Sequence, residues 1–209
     1  MDADATAVSS TPKEPRLAHR PNYFLAIPIT HPVILRWVSD IQDAICERDP
    51  HLKDFSISLH KLHITLCTMH LDSEEEISKA TSLFKSLEEE VSSLLSPVTK
   101  LQFQSLDQFP HSTRVLFAPP ENSPVLMKLS KMFTKQLEGG DINLAGTREK
   151  YIPHMSILKG VPIRPELYKD FSDTFIGVQA INAICLCSMS DPAGDDGFYH
   201  CLARLEIHS

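Results

Sequence analysis

Apolar positions along this chain recur with two different periods, and the changes between them outline the elements. From Asn22 to Ile29 (NYFLAIPI) the run is aromatic and aliphatic and closes on proline and threonine, which predicts a strand. Pro32 then opens a helix with Ile34, Val38, Ile41 and Ile45 on one face. Leu62 to Thr68 is a second strand. Ser73 and Glu76 form a capping box, and Ile77, Ala80, Phe84, Leu87, Val91 and Leu94 continue as one helical stripe that Pro97 ends. The acids Glu88 to Glu90 read as its solvated face, and Leu101 to Leu106 as a third strand. The order then repeats. Arg114 to Ala118 is a strand, and Pro124 starts a helix with Leu126, Leu129, Phe133 and Leu137 inward. Gly139-Gly140 closes that helix as a left-handed cap. Ile152 to Leu158 is a strand and Pro165 to Phe171 a short helix. Ile181 to Met189 and Phe198 to Ile207 make a hairpin across the turn formers of SDPAGDDG.

The two sets share one offset. Pro119 follows Pro28, and His154 follows His63, by the same 91 positions (119 − 28 and 154 − 63). PVIL after the first strand matches PVLM after its counterpart at a lag of 92 (124 − 32). The pattern predicts an internal duplication, with a boundary near residues 110–111 between lobes 21–110 and 111–209.

Duplication changes the meaning of one polar pair. KLHITLCT sets His63 and Thr65 two apart in an apolar strand, and HMS sets His154 and Ser156 likewise. Side chains alternate along a strand, so each pair shares one face while Ile64 and Met155 point into the packing. Two such fronts meeting across a groove bring together two imidazoles and two hydroxyls. That inventory suits hydrolysis of a phosphodiester, above all a cyclic one. One neutral histidine takes a proton from water while the other, protonated, gives one to the departing sugar oxygen. The hydroxyls hold the non-bridging oxygens, and neither a metal nor another cofactor is required.

Composition narrows the setting. The 209 residues are 42% hydrophobic and 22% charged, enough for one sizeable core. A formal charge of −7 without a basic stripe argues against long duplex nucleic acid but leaves room for a nucleotide or an RNA 3′-end. No run is long and apolar enough to span a membrane, and residues 1–20 lack a secretory core and read as a mobile tail. Five scattered cysteines read as reduced thiols of a cytoplasmic or nuclear protein. His60 and His70 lack zinc-site spacing, and Cys185, Cys187 and Cys201 read as buried thiols of the hairpin rather than metal ligands.

With these motifs in hand, PNYFLAIPIT, KLHITL, YIPHMSILKG, PELYKDF, LCSM and GFYHC together resemble the 2H phosphoesterase superfamily, over nearly all of residues 22 to 207. Within it they are similar to the central domain of A-kinase-anchoring proteins and the C-terminal domain of leukocyte receptor cluster member nine. The resemblance implies a bilobal, pseudo-two-fold α/β fold, with antiparallel-rich sheets flanking a central cleft and helices outside. It implies action on 2′,3′-cyclic phosphate ends of RNA or nucleotides, or binding without turnover of a nucleoside monophosphate such as AMP or CMP. By the same resemblance His63 and His154 are the acid–base pair and Thr65 and Ser156 the phosphate donors. Lys159, three places after Ser156, becomes a ligand contact, although strict alternation turns it to the back unless the strand bulges or ends first. Phe24 becomes a wall against the base. The chain stops at Ser209 without an amphipathic helix after the last strand, so kinase anchoring is not expected of it.

Overall fold

The computed structural model describes residues 19–96, 98–121, 123–146 and 150–207. The expected tail up to residue 18, and Pro97, lie outside the described residues. In chain order the elements are β1 (Tyr23–Pro28), α1 (Pro32–Arg48), β2 (His63–His70), α2 (Glu74–Lys85), α3 (Glu88–Leu94), β3 (Lys100–Gln104), β4 (Asp107–Phe109), β5 (Ser112–Ala118), α4 (Ser123–Gly139), β6 (Asn143–Leu144), β7 (Met155–Lys159), β8 (Phe175–Ala180), β9 (Ala183–Ser188) and β10 (Cys201–Glu206).

Among the described residues one antiparallel sheet runs β10-β9-β1-β2-β7-β5-β4, with β6 also on β2, and β3 pairs with β8 in a separate ribbon. The two half-sheets, β10-β9-β1-β2 and β7-β5-β4, join through a single residue pair, Ile64↔Met155. Beyond it β2 is taken up by β6, at Met69↔Leu144 and His70↔Asn143. The halves therefore share a seam and diverge on either side of it.

The chain crosses between halves more often than a division at 110–111 allows. The C-terminal hairpin β9–β10 lies on β1, and β4 lies on β5. Sequence order does not report such exchanges, because strand partners are chosen by buried faces rather than by proximity in the chain.

Helix faces follow the apolar spacing. Ile34, Val38, Ile41 and Ile45 of α1 are fully buried, as are Leu126, Leu129 and Phe133 of α4. His31, before α1, offers no side-chain cap. Gln179 of β8 instead fixes the segment that leads into the helix: its Oε1 accepts from the amides of Thr30 and His31 at 2.7 and 2.9 Å, and its Nε2 donates to Pro28 O. Ser73 Oγ accepts from Glu76 N at 3.2 Å, the cap expected for α2. The stripe behind it is two helices, not one. The hydroxyls of Ser82 and Ser86 donate back to the carbonyls of Ser78 and Leu83, and the chain bends at Leu87 while Leu87 and Val91 stay buried.

Three further readings need correction. The left-handed residue after α4 is Asp141 (φ 60°), not a glycine. Ile142 N donates to Leu137 O and Asp141 N to Glu138 O, which is a Schellman closure one residue later than expected. Gly140 lies against the end of the Leu83 side chain, which would have to shift to admit a Cβ there. Pro165–Leu167 and Lys169–Phe171 are separate 3₁₀ turns rather than one short helix. Strand β8 has no counterpart in the sequence reading because Gly177 (φ 148°) interrupts its pattern, where a Cβ would come within 2.8 Å of Ile34 Cγ1.

Candidate active site

The site is built outward from the seam. Ile64 and Met155 are both fully buried, so the residues on either side of each face the open front of the sheet. An antiparallel pair carries a local two-fold axis, and the offset between these partners is again 91 (155 − 64). That axis relates His63 to His154 and Thr65 to Ser156. It also relates the ladders: Ala26↔Thr65 and Ile27↔Ile64 correspond to Phe117↔Ser156 and Ala118↔Met155. In a regular pair, diagonal neighbours of this kind stand about 7–8 Å apart, their Cβ atoms somewhat closer. A gap of that order suits a phosphate group between two imidazoles.

Each half also carries the same irregularity. The register slips between Leu25↔Cys67 and Ala26↔Thr65, leaving Leu66 extra, and between Leu116↔Leu158 and Phe117↔Ser156, leaving Ile157 extra. A bulge of one residue reverses the alternation beyond it. Lys159 pairs with Val115, which shares the front with Phe117, so the bulge returns Lys159 to the front. Its charge lowers the pKa of both histidines.

Two buried polar side chains hold these bulges. Gln42 of α1 donates through Nε2 to Ile57 O at 2.8 Å and to Ile157 O at 3.0 Å, and Ser130 of α4 donates to Leu66 O at 2.7 Å. The helix of each half thus ties the bulge of the other. Gln42→Leu leaves the Ile57 carbonyl without this donor and is expected to cost about 1–3 kcal/mol in denaturant unfolding. Sequence reasoning passed over both residues, since a polar position on an apolar helical face carries no mark of its partner.

The imidazoles are pinned alike. Nδ1 of His63 lies 2.7 Å from Lys61 O, and Nδ1 of His154 lies 2.8 Å from Ile152 O. A carbonyl can only accept, so Nδ1 carries the proton and Nε2 keeps its lone pair in the neutral ring. His63 Nε2 is 3.1 Å from Thr65 Oγ1, which donates to it, whereas among the described residues Ser156 Oγ has no intramolecular partner. Tyr151 Oη donates to Thr65 O at 2.8 Å and ties the two motif strands together.

Aromatic rings surround both histidines. Phe24, Tyr199 and Phe198 stand 5.1, 5.5 and 6.3 Å from His63, and Phe109 and Phe117 stand 4.9 and 5.3 Å from His154, centre to centre. Burial pushes the His63 pKa down from 6.5 to about 4; its bond to Lys61 opposes this, and His154 and Lys159 add to it. Burial lowers His154 as well, against its bond to Ile152 and with help from Lys159. Lys61 Nζ sits over the Tyr199 ring at 5.0 Å, placing a second cation at the rim.

Phe24 does not occupy the position expected of it. It is 2% exposed and covered by Tyr199 and Phe198, so it backs His63 instead of facing a ligand. The half-exposed ring on that side is Tyr199. Phe109, Phe117, Phe198 and Tyr199 were missed as site residues; GFYHC and the front-facing phenylalanine of β5 held the signal. Among the described residues, no group of three His, Cys, Asp or Glu side chains could hold a metal ion.

Paired His-x-Ser/Thr motifs, related by a dyad on a duplicated antiparallel sheet, characterise the 2H phosphoesterase superfamily. The chain belongs to the AKAP7 2′5′ RNA ligase-like domain family, whose model matches residues 21–207. It is 29% identical over 208 residues to the human A-kinase anchor protein 7 isoform gamma, covering 93% of this chain and 60% of that protein. The chain thus spans less than two thirds of that relative's length. Among solved structures, Escherichia coli LigT in apo form superposes with a TM-score of 0.62 at 17% identity, covering 91% of this chain and 100% of that one. The Thermus thermophilus protein TT0787 does so at 0.57 and 18%, covering 89% and 97%. These likenesses establish the fold.

Proposed function

We propose that this cleft hydrolyses 2′,3′-cyclic phosphate ends of RNA or nucleotides without a metal. The observation that carries the reading is the pair of imidazoles pinned through Nδ1, which turns both Nε2 atoms to the front, where Thr65 Oγ1 donates to that of His63 and Ser156 and Lys159 stand beside that of His154. Water attacks phosphorus while neutral His63 takes its proton. The bond from phosphorus to one ribose oxygen breaks, and His154 protonates that oxygen. The lower pKa of His63 supports this division, since the proton of a singly protonated cleft rests on His154. Thr65, Ser156 and Lys159 hold the charge on the non-bridging oxygens. Incubation with a nucleoside 2′,3′-cyclic phosphate in EDTA tests this: turnover supports it, and intact substrate after prolonged exposure overturns it.

The second reading is a module that binds AMP or CMP without turnover. It is favoured by the hydrogen bond from Thr65 that engages the His63 lone pair in the free cleft. LigT has been solved with 3′-AMP and with ATP, which supports a nucleotide as the ligand class here. Tight monophosphate binding with no turnover in the same assay favours this reading. Under either reading, Thr65→Val and Ser156→Ala are each expected to weaken nucleoside monophosphate binding by about 1–3 kcal/mol, measured by titration calorimetry.

A further inference from the structure

One front-facing row of the sheet contains chemistry that the phosphate cleft does not use. It runs Thr68, Phe24, Cys187, Cys201 across β2, β1, β9 and β10. Cross-strand partners share a face, so both thiols lie on the side that carries His63. Cys187 is fully buried beside Phe24 and Phe198, whereas Cys201 is exposed. The Ser188 amide donates to His200 O at 3.0 Å, which makes Cys187↔Cys201 a non-hydrogen-bonded pair. Cα atoms of such pairs lie about 4.5 Å apart, at the short end of the range a disulfide spans. A bridge there would have its Cys201 sulfur exposed to reductant, as reversible bridges do.

We propose that Cys201 and Cys187 form a thiol pair which a peroxide oxidises to a cross-strand disulfide, and that this bridge acts on His63 through Phe24. In the first step the Cys201 thiolate attacks one peroxide oxygen, the O–O bond breaks, and Cys201 becomes a sulfenic acid as hydroxide or alkoxide leaves. In the second, the Cys187 sulfur attacks the Cys201 sulfur, its proton goes to the departing hydroxyl, and water leaves. A dithiol reductant returns the bridge to two thiols by exchange and is itself oxidised to a disulfide. Division of labour between the thiols follows from their surroundings. Contacts with Cys185 and Cys187 and the nearby Arg204 guanidinium lower the Cys201 thiol below the usual range, against burial; its Sγ donates to Ala203 O at 3.2 Å, a bond it gives up on forming the thiolate. Hydrogen bonding to Cys185 and Cys201, together with burial, drives Cys187 the other way and keeps it protonated as the resolving thiol. Arg204 Nη1 also donates to Cys185 Sγ at 3.8 Å, next to the pair. Drawing Cys187 toward Cys201 moves it from under Phe24, the ring 5.1 Å from His63, and lets water reach that imidazole.

The test uses the full chain and needs no turnover, so its outcome is separate from that of the phosphoesterase assay. At pH 6, Cys201 is expected to alkylate with iodoacetamide about tenfold faster than Cys46, because only the thiolate reacts. Hydrogen peroxide is then expected to give a Cys187–Cys201 peptide by mass mapping. Cys187→Ser should instead accumulate a dimedone-trapped sulfenic acid at Cys201. NMR titration of the His63 ring should show a higher pKa in the oxidised chain than in the reduced one. Equal alkylation rates, no bridge, or a bridge between other cysteines overturns the pair. A bridge that leaves the His63 titration unchanged overturns the coupling.

Discussion

Alanine in place of either His63 or His154 is expected to lower turnover of a nucleoside 2′,3′-cyclic phosphate by about 10²–10⁴-fold, the usual contribution of a positioned acid or base. The double variant should be scarcely worse than either single one, because the two rings act as one proton-transfer unit. The pH dependence of kcat/KM carries the same assignment. Its acid limb should fall near pH 4, where His63 takes up a proton and ceases to be a base. Its alkaline limb should lie below 6.5, where the depressed His154 loses the proton it must donate. A negatively charged substrate raises both values, so the kcat profile of the complex should move to higher pH. Rates that stay level from pH 4 to 8, or either alanine variant within about threefold of the parent, would remove the acid–base pair from the mechanism.

The folded chain is expected to lose stability on acidification through the same His63 ring. In the unfolded chain this imidazole takes up a proton near 6.5, whereas the folded one resists until about 4. Between those values the unfolded state binds more protons, so stability falls as pH falls and levels off beyond either end. At 1.36 kcal/mol per unit the full effect is on the order of 3 kcal/mol, and His154 adds in the same direction. His70 works oppositely. The Arg20 carbonyl and Asp72 raise its pKa, so its contribution is complete below 6.5 and disappears as pH rises through its folded value. His63→Gln leaves His70 untouched. Urea unfolding of the two proteins from pH 4 to 7 should therefore show a flatter dependence in the variant, and parallel curves would contradict the burial of His63.

Much of the framework was legible before any coordinates. The 91-residue offset that joined His63 to His154 in the sequence is also the register of the seam, Ile64↔Met155. The reading worked because a strand has a strict period of two, so one buried residue determines the faces of its neighbours. It faltered where the period broke. Gly177 hid β8, and a serine-rich stretch split α2 from α3. Lys159 could be placed on either face until the slip at Ile157 was seen. The family resemblance made Phe24 a wall against the base, and only the packing of Phe198 and Tyr199 over it shows that this side is closed.

Local pattern determined which side chains would share a face, which helix faces would be buried, and that two equivalent His-x-Ser/Thr pairs exist. Only the tertiary structure decided that the pairs stand at one seam, that Gln42 and Ser130 each cross to secure the opposite bulge, and that aromatic rings close around the imidazoles. The division follows from range. Alternation and helical spacing act between residues a few positions apart, whereas desolvation and hydrogen bonds to a bulge depend on groups 64 and 115 positions away, whose approach is set by the packing of the whole core.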